Sequence, residues 1–137
     1  MEVIFLVGRI LFAIVFVGAG ANHLREPKGM SEYVGARGVP SPEEATLASG
    51  PYLIVAGLSV ALGIWADLGA LLIAAFTLAT AFLVHHFWTD EGQEQQQSMN
   101  NFLKDVALAG GALMLFALFA KFGDDVGLTV TGPLFDL

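Results

Sequence analysis

The stretch LGALLIAAFTLATAFLV, residues 68–84, decides the fold. It holds no charged residue, and two threonines are its only polar side chains. A helix lying between a protein core and water shows a polar stripe at every third or fourth position. None is present here, nor in IVAGLSVALGIW, residues 54–65. Working outward, charge avoids four stretches. Residues 3–21 carry only Arg9, residues 45–65 and 68–88 carry none, and residues 102–122 hold Lys104, Asp105 and Lys121 near their ends. Each is about 20 residues, which at ~1.5 Å per residue crosses a hydrocarbon layer of ~30 Å. The expected fold is all-α: an integral membrane four-helix bundle with antiparallel up-and-down spans, forming one domain over residues 1–137. A soluble bundle would need charged outer faces, which these segments lack. Residues 1–21 end in Ala-Gly-Ala like a cleavable leader, but Glu2 and the lack of an early lysine argue for a retained span.

Composition narrows the chemistry. Only 14% of residues are charged, against ~25% in an average soluble domain. There is no cysteine, so disulfides, thiolate metal sites and cysteine redox chemistry are excluded. A net charge of −7 argues against nucleic-acid binding. With 13 acidic residues against 6 basic ones, the loops suit a high-salt cytoplasm.

The connections differ in length. Loop one, residues 22–44, contains Pro27, Pro40 and Pro42 with three glycines, so regular helix is expected only as a short interfacial piece within MSEYVGAR, residues 30–37. Loop two is essentially Ala66-Asp67. Loop three, TDEGQEQQQSMNN at residues 89–101, reads as an acidic, Gln-rich linker, and the tail from Gly123 is expected along the membrane surface or on a neighbour. Small pairs four apart, Gly57/Ala61, Ala70/Ala74, Ala75/Ala79 and Ala107/Gly111, read as packing seams, because lipid supplies little hydrophobic force between helices. Arg25, Lys28, Arg37 and Lys104 lie on the face of loops one and three. The positive-inside rule therefore expects that face in the cytoplasm and both termini outside.

Polar side chains converge on that same face. His85, His86 and Trp88 close the third span, Asn22 and His23 close the first, and Asn101 and Lys104 open the fourth. Taken singly, Trp88 or a histidine suits an interfacial belt. Together, His23, His86, Trp88, Asn101 and Lys104 suggest a shallow polar pocket. A cation inside a span is costly unless partnered or functional, and a histidine beside it suits the carbonyl oxygens of a bound quinone. Tyr33 and Tyr52 could add ring-stacking surface. His85 and His86 point ~100° apart on a helix, so at most one faces inward. Metal binding has no support from spacing: there is no HxxxH, no ExxH and no carboxylate expected inside a span. At the bare opposite end, Arg9 either snorkels outward or pairs with Asp67.

The segments GRILFAIVFVGAGANHL, GVPSPEEATLASG, GALLIAAFTLATAFLVHHFW and NFLKDVALAGGALML, in this order, resemble the DoxX family. Gly8-Arg9, His86-Phe87-Trp88 and Asn101-Phe102-Leu103-Lys104 match its pattern; Asp67 and Asp105 depart from it. The resemblance implies a four-helix integral membrane protein. Some members are subunits of thiosulfate:quinone oxidoreductase, others associate with membrane oxidoreductase and stress-response complexes, and a distant branch handles cargo export. The expectation is an accessory or quinone-interacting subunit of a membrane oxidoreductase in the cell membrane. Quinone is the one cofactor suggested, since no flavin, nucleotide or thiolate-metal motif is present. The expected partners are lipid and either further copies of the chain or a membrane complex. A transport component and an assembly scaffold are the alternatives.

Overall fold

The computed structural model describes residues 1–137. It contains α1 (Glu2–Arg25), α2 (Pro27–Ala36), α3 (Pro42–Leu62), α4 (Ala66–Leu83), a 3-10 turn (Phe87–Thr89) and α5 (Gly92–Phe122). There are four helices long and apolar enough to cross a membrane, α1, α3, α4 and α5, and no strand. The protein is thus a helical membrane bundle. Only 27 of the 137 residues are buried, and Val3, Ile4, Leu11 and Ile14 on α1 are each more than half exposed. That pattern is stable only where lipid replaces water as solvent.

Helix boundaries follow local chemistry. Pro27 and Pro42 each occupy a first-turn position, where the missing N–H costs nothing. Gly63, at φ +69°, ends α3 in the left-handed conformation. Two segments are more helical than the sequence suggests. The interfacial helix of loop one begins at Pro27, and the Gln-rich linker is not a loop at all. Gln and Glu propagate helix well, so α5 extends from Gly92 over 31 residues, about 46 Å. Conversely, the third span loses its helix at Leu83, five residues before the expected end.

The bundle runs in the order α1, α3, α4, α5, with α1 packed on α3, α3 on α4 and α4 on α5. Small residues make the tight seams. A Cβ on Gly20 would lie 2.5 Å from the Gly50 carbonyl oxygen of α3, and one on Gly57 would lie 2.9 Å from Val17 of α1. Ala70 and Ala74 are wholly buried within the core of Phe16, Leu53, Ala56, Val60, Ile73 and Ala112. Gly111 is different: a Cβ there meets only Phe12, at 3.6 Å. Across the α1–α5 side, contact is made by rings, such as Phe5 on Phe119 at 5.5 Å.

The tail from Gly123 folds back over its own bundle and closes the terminal end. Val130 and Thr131 donate backbone N–H bonds to Gly63, and Leu137 donates one to Ala120. Arg9 and Asp67 are both buried here but do not bond to one another, so Arg9 neither snorkels outward nor forms the candidate pair. Arg9 is 1% exposed; its Nη2 donates to the carbonyls of Ala61 (3.0 Å) and Leu128 (2.8 Å) beneath the rings of Phe5 and Phe119. The Asp67 carboxylate instead accepts from the backbone N–H groups of Leu134 (2.8 Å) and Phe135 (2.6 Å). Each thus holds a different part of the tail. Neither partner set was legible beforehand, because backbone groups of a coiled tail leave no residue-type signal.

Two outcomes follow. Gly20→Ala should lower stability by ~1–3 kcal/mol through overpacking, while Gly110→Ala, which meets open space, should leave it unchanged. Thermal unfolding in one detergent compares them. Asp67→Ala should cost about 2–3 kcal/mol, having removed a charged acceptor from buried amides. Hydrogen exchange should then accelerate at Leu134 and Phe135.

Candidate functional site

Arg37 organises the opposite end. It follows α2, whose last turn is finished by Gly38 at φ +92°. Its Nε donates to the Val84 carbonyl (2.7 Å), and Nη1 and Nη2 grip the two Asp90 oxygens at 2.7 and 3.0 Å. A bidentate, charge-assisted pair of this kind is strong and directional. The hydrogen bond from Arg37 holds the Asp90 carboxyl down at about 2, below its usual 3.8, and the same bond raises the Arg37 pKa. The clamp ties α2 to the frayed end of α4, where the N–H groups of Val84 and His85 share the Thr80 carbonyl.

Leaving the helix there sends the two histidines opposite ways. His86 Nε2–H donates to the Arg37 carbonyl (3.0 Å), while its Nδ1 faces the Thr89 hydroxyl at 2.7 Å. His86 is therefore part of the clamp. His85 turns inward: its Nδ1–H donates to Asp105 of α5 at 2.8 Å, and Asp105 is 7% exposed. The inward histidine is His85, which corrects the placement of His86 in the pocket. A signal existed, since an aspartate within an apolar span is expensive and rarely idle.

Behind His85 lies a cavity of about 370 Å³ among all four spans, roofed by α2. Its walls are largely apolar, with Phe16, Leu53, Phe76 and Leu108 among them, and its polar groups are His23, Thr46, Ser49, Thr77, Thr80, His85, Lys104 and Asp105. His23 Nδ1–H donates to the Ser49 hydroxyl (2.6 Å), which donates in turn to the Thr46 carbonyl (2.8 Å). This fixes the His23 tautomer and leaves Nε2 as an acceptor. Tyr33 also lines the cavity, its hydroxyl pKa raised by burial. A second, polar pocket of about 270 Å³ is lined by Arg37, Glu94, Gln97, Ser98 and Asn101, and shares Tyr33 and His85 with the first.

The expected cluster thus divides. His23 and Lys104 line the cavity, Asn101 lines the polar pocket, and His86 and Trp88 line neither. Trp88 is 54% exposed and packs with Phe82, Phe87 and Phe102 in an aromatic patch at the interface. Tyr52 donates its hydroxyl to the Leu72 carbonyl (2.7 Å), joining α3 to α4 rather than facing a ligand. Arg37 and Asp105 were missed.

The DoxX family model matches residues 4–86, more than half of the chain, covering α1 to the His85–His86 break. The chain belongs to the DoxX family. Among relatives, it is 30% identical over 113 residues to the inner membrane protein YphA of Escherichia coli strain K12, spanning 82% of this chain and 81% of that one. It is 35% identical over 113 residues to the inner membrane protein YqjF of the same organism, spanning 80% and 79%. No solved structure matches it. With four spans, this DoxX protein is a multi-pass protein of the cell membrane. The matched region supplies His23, Arg37 and His85, whereas Lys104 and Asp105 lie beyond it.

The clamp has a pH signature. Asp90 has a folded pKa below its unfolded value, so its contribution is complete above about pH 3.8 and is lost as pH falls towards 2. Fluorescence of Trp88, packed two residues away, should hold steady to pH 4 and shift only on further acidification, an acid response that Arg37→Ala should abolish.

Proposed function

We propose that this DoxX protein is an accessory subunit of a membrane oxidoreductase and binds a quinone-type ring in the cavity behind His85. The observation that carries this reading is the cavity itself: apolar walls at the level of the spans, with two hydrogen-bonding histidines and one lysine along them. A volume of about 370 Å³ suits a substituted ring, and such sites combine apolar walls with a few placed polar groups. Lys104, or His85 as the imidazolium, can donate to a ring carbonyl, with Phe16 and Phe76 as apolar packing surface. With no cysteine in the chain, the electrons belong to a redox-active partner subunit. A transporter needs a path through the bundle, and the folded tail and buried Arg9 weigh against one at the terminal end.

The same reading orients the protein. Arg25, Lys28, Arg37 and Lys104 lie towards the face of the site, and Arg9 is buried, which leaves Lys121 as the terminal face's exposed cation. The site then faces the cytoplasm, and a C-terminal reporter should be active outside it.

Mass spectrometry of protein extracted in native lipid should find about one quinone per chain, reduced at least tenfold in His85→Ala and unchanged in His86→Ala. Empty wild-type protein, or equal loss in both variants, would sink the proposal.

A further inference from the structure

The two pockets meet at one side chain. Of the residues that line the larger cavity, Val15, Tyr33, Ala79, Leu83 and Lys104 are exposed, and Val15, Ala79 and Leu83 are apolar residues within the spans. That cavity therefore opens to the bilayer. The smaller pocket has only one hydrophobic lining residue, and its α5 contributors, Glu94, Gln97, Ser98 and Asn101, belong to the polar start of that helix, so it opens to water. His85 and Tyr33 belong to both walls. Asp105 holds His85 through Nδ1 and leaves Nε2 for a second partner.

We propose that His85, positioned by Asp105, passes protons from the water-facing pocket to the ligand in the lipid-facing cavity. This inference rests on the quinone reading above. Reduction of a quinone to a quinol takes up two electrons and two protons, and the electrons come from a flavin- or metal-bearing partner subunit. For each proton, the Nε2–H bond of an imidazolium breaks and an O–H bond forms on the ring oxygen. The neutral imidazole then regains a proton from water in the polar pocket, and the cycle repeats for the second oxygen. Charged and titratable groups surround His85 on every side of the two pockets. Asp105 and Lys104 of α5, Tyr33 of α2, Arg37 just after it, Glu94 at the start of α5 and His23 of α1 line the same two pockets as His85. Asp105 is the group in direct contact, at 2.8 Å from Nδ1, and it fixes the ring with Nε2 free. The separation of routes has a chemical reason. A quinone is delivered from lipid, whereas a proton is costly in lipid and must come from water.

The test is deuterium exchange at the His85 imidazole N–H groups, Nε2 included, in nanodiscs, read by nitrogen-15 NMR with and without decylubiquinone. Gln97 is exposed and lines only the polar pocket, so Gln97→Trp fills the aqueous route without touching the cavity. Exchange at His85 should slow about tenfold in Gln97→Trp, with decylubiquinone affinity unchanged. Asn101→Phe, filling the same pocket from the next turn, should do likewise. Unchanged exchange in both folded variants would overturn the relay. Slowed exchange in a protein that binds no decylubiquinone would uphold the aqueous route to His85 and overturn both the quinone reading and the proton delivery built on it.

Discussion

The functional end of the protein depends on one guanidinium. Arg37 occupies the Val84 carbonyl and both oxygens of Asp90, so α4 cannot continue through the histidines as the hydrophobic pattern alone would have it. Because the backbone breaks there, adjacent histidines acquire unrelated duties: His86 completes the clamp, and His85 reaches across to Asp105. The same contact draws α2 down as a roof, and without it the cavity would be an open trough. A long-range ion pair at the membrane surface thereby does what no residue inside the spans could do. Within the spans, the backbone must remain helical to satisfy its own hydrogen bonds.

The other end is built on a different logic. Small residues bring α1 against α3 and α3 against α4, since lipid gives helices no hydrophobic reason to associate. Buried charge then fixes the tail. Arg9 and Asp67 each trade a salt bridge for backbone partners, and the acidic Asp67 sits at the first turn of α4, where the helix dipole favours it. The result is asymmetric, with a closed end held by backbone bonds and an open end held by side chains.

Much of the fold was legible because membrane solvation is so demanding. Charge-free runs of fixed length admit one reading, and residues 68–84 supplied it. The seam at Gly57 was readable for the same reason, whereas Gly111, with the same spacing, packs against nothing closer than Phe12. Spacing identifies small residues, not the face they present. The site was legible by region and not by residue. His23, Asn101 and Lys104 lie where their sequence positions suggest, but choosing between His85 and His86 required knowing that the helix ends at Leu83. At that ending the Val84 carbonyl is held by Arg37, 47 residues away, which no local pattern reveals. Asp105 was in plain view near the start of the fourth span, but its partner could not be read without knowing that the backbone break turns His85 towards it.

The length of α5 has a consequence for the lipid. At about 46 Å it overshoots a ~30 Å hydrocarbon layer, and its polar first turns stand clear of the bilayer beside α2. The rings of Phe82, Phe87, Trp88 and Phe102 gather at the level where that overhang begins. They act as a depth gauge, settling at the headgroups while the helix above them remains wet. Bilayer thickness therefore decides how far the waterline stands from His85. In a thinner membrane the bundle must tilt more or locally thicken the bilayer, and in a thicker one the polar antechamber begins to dry.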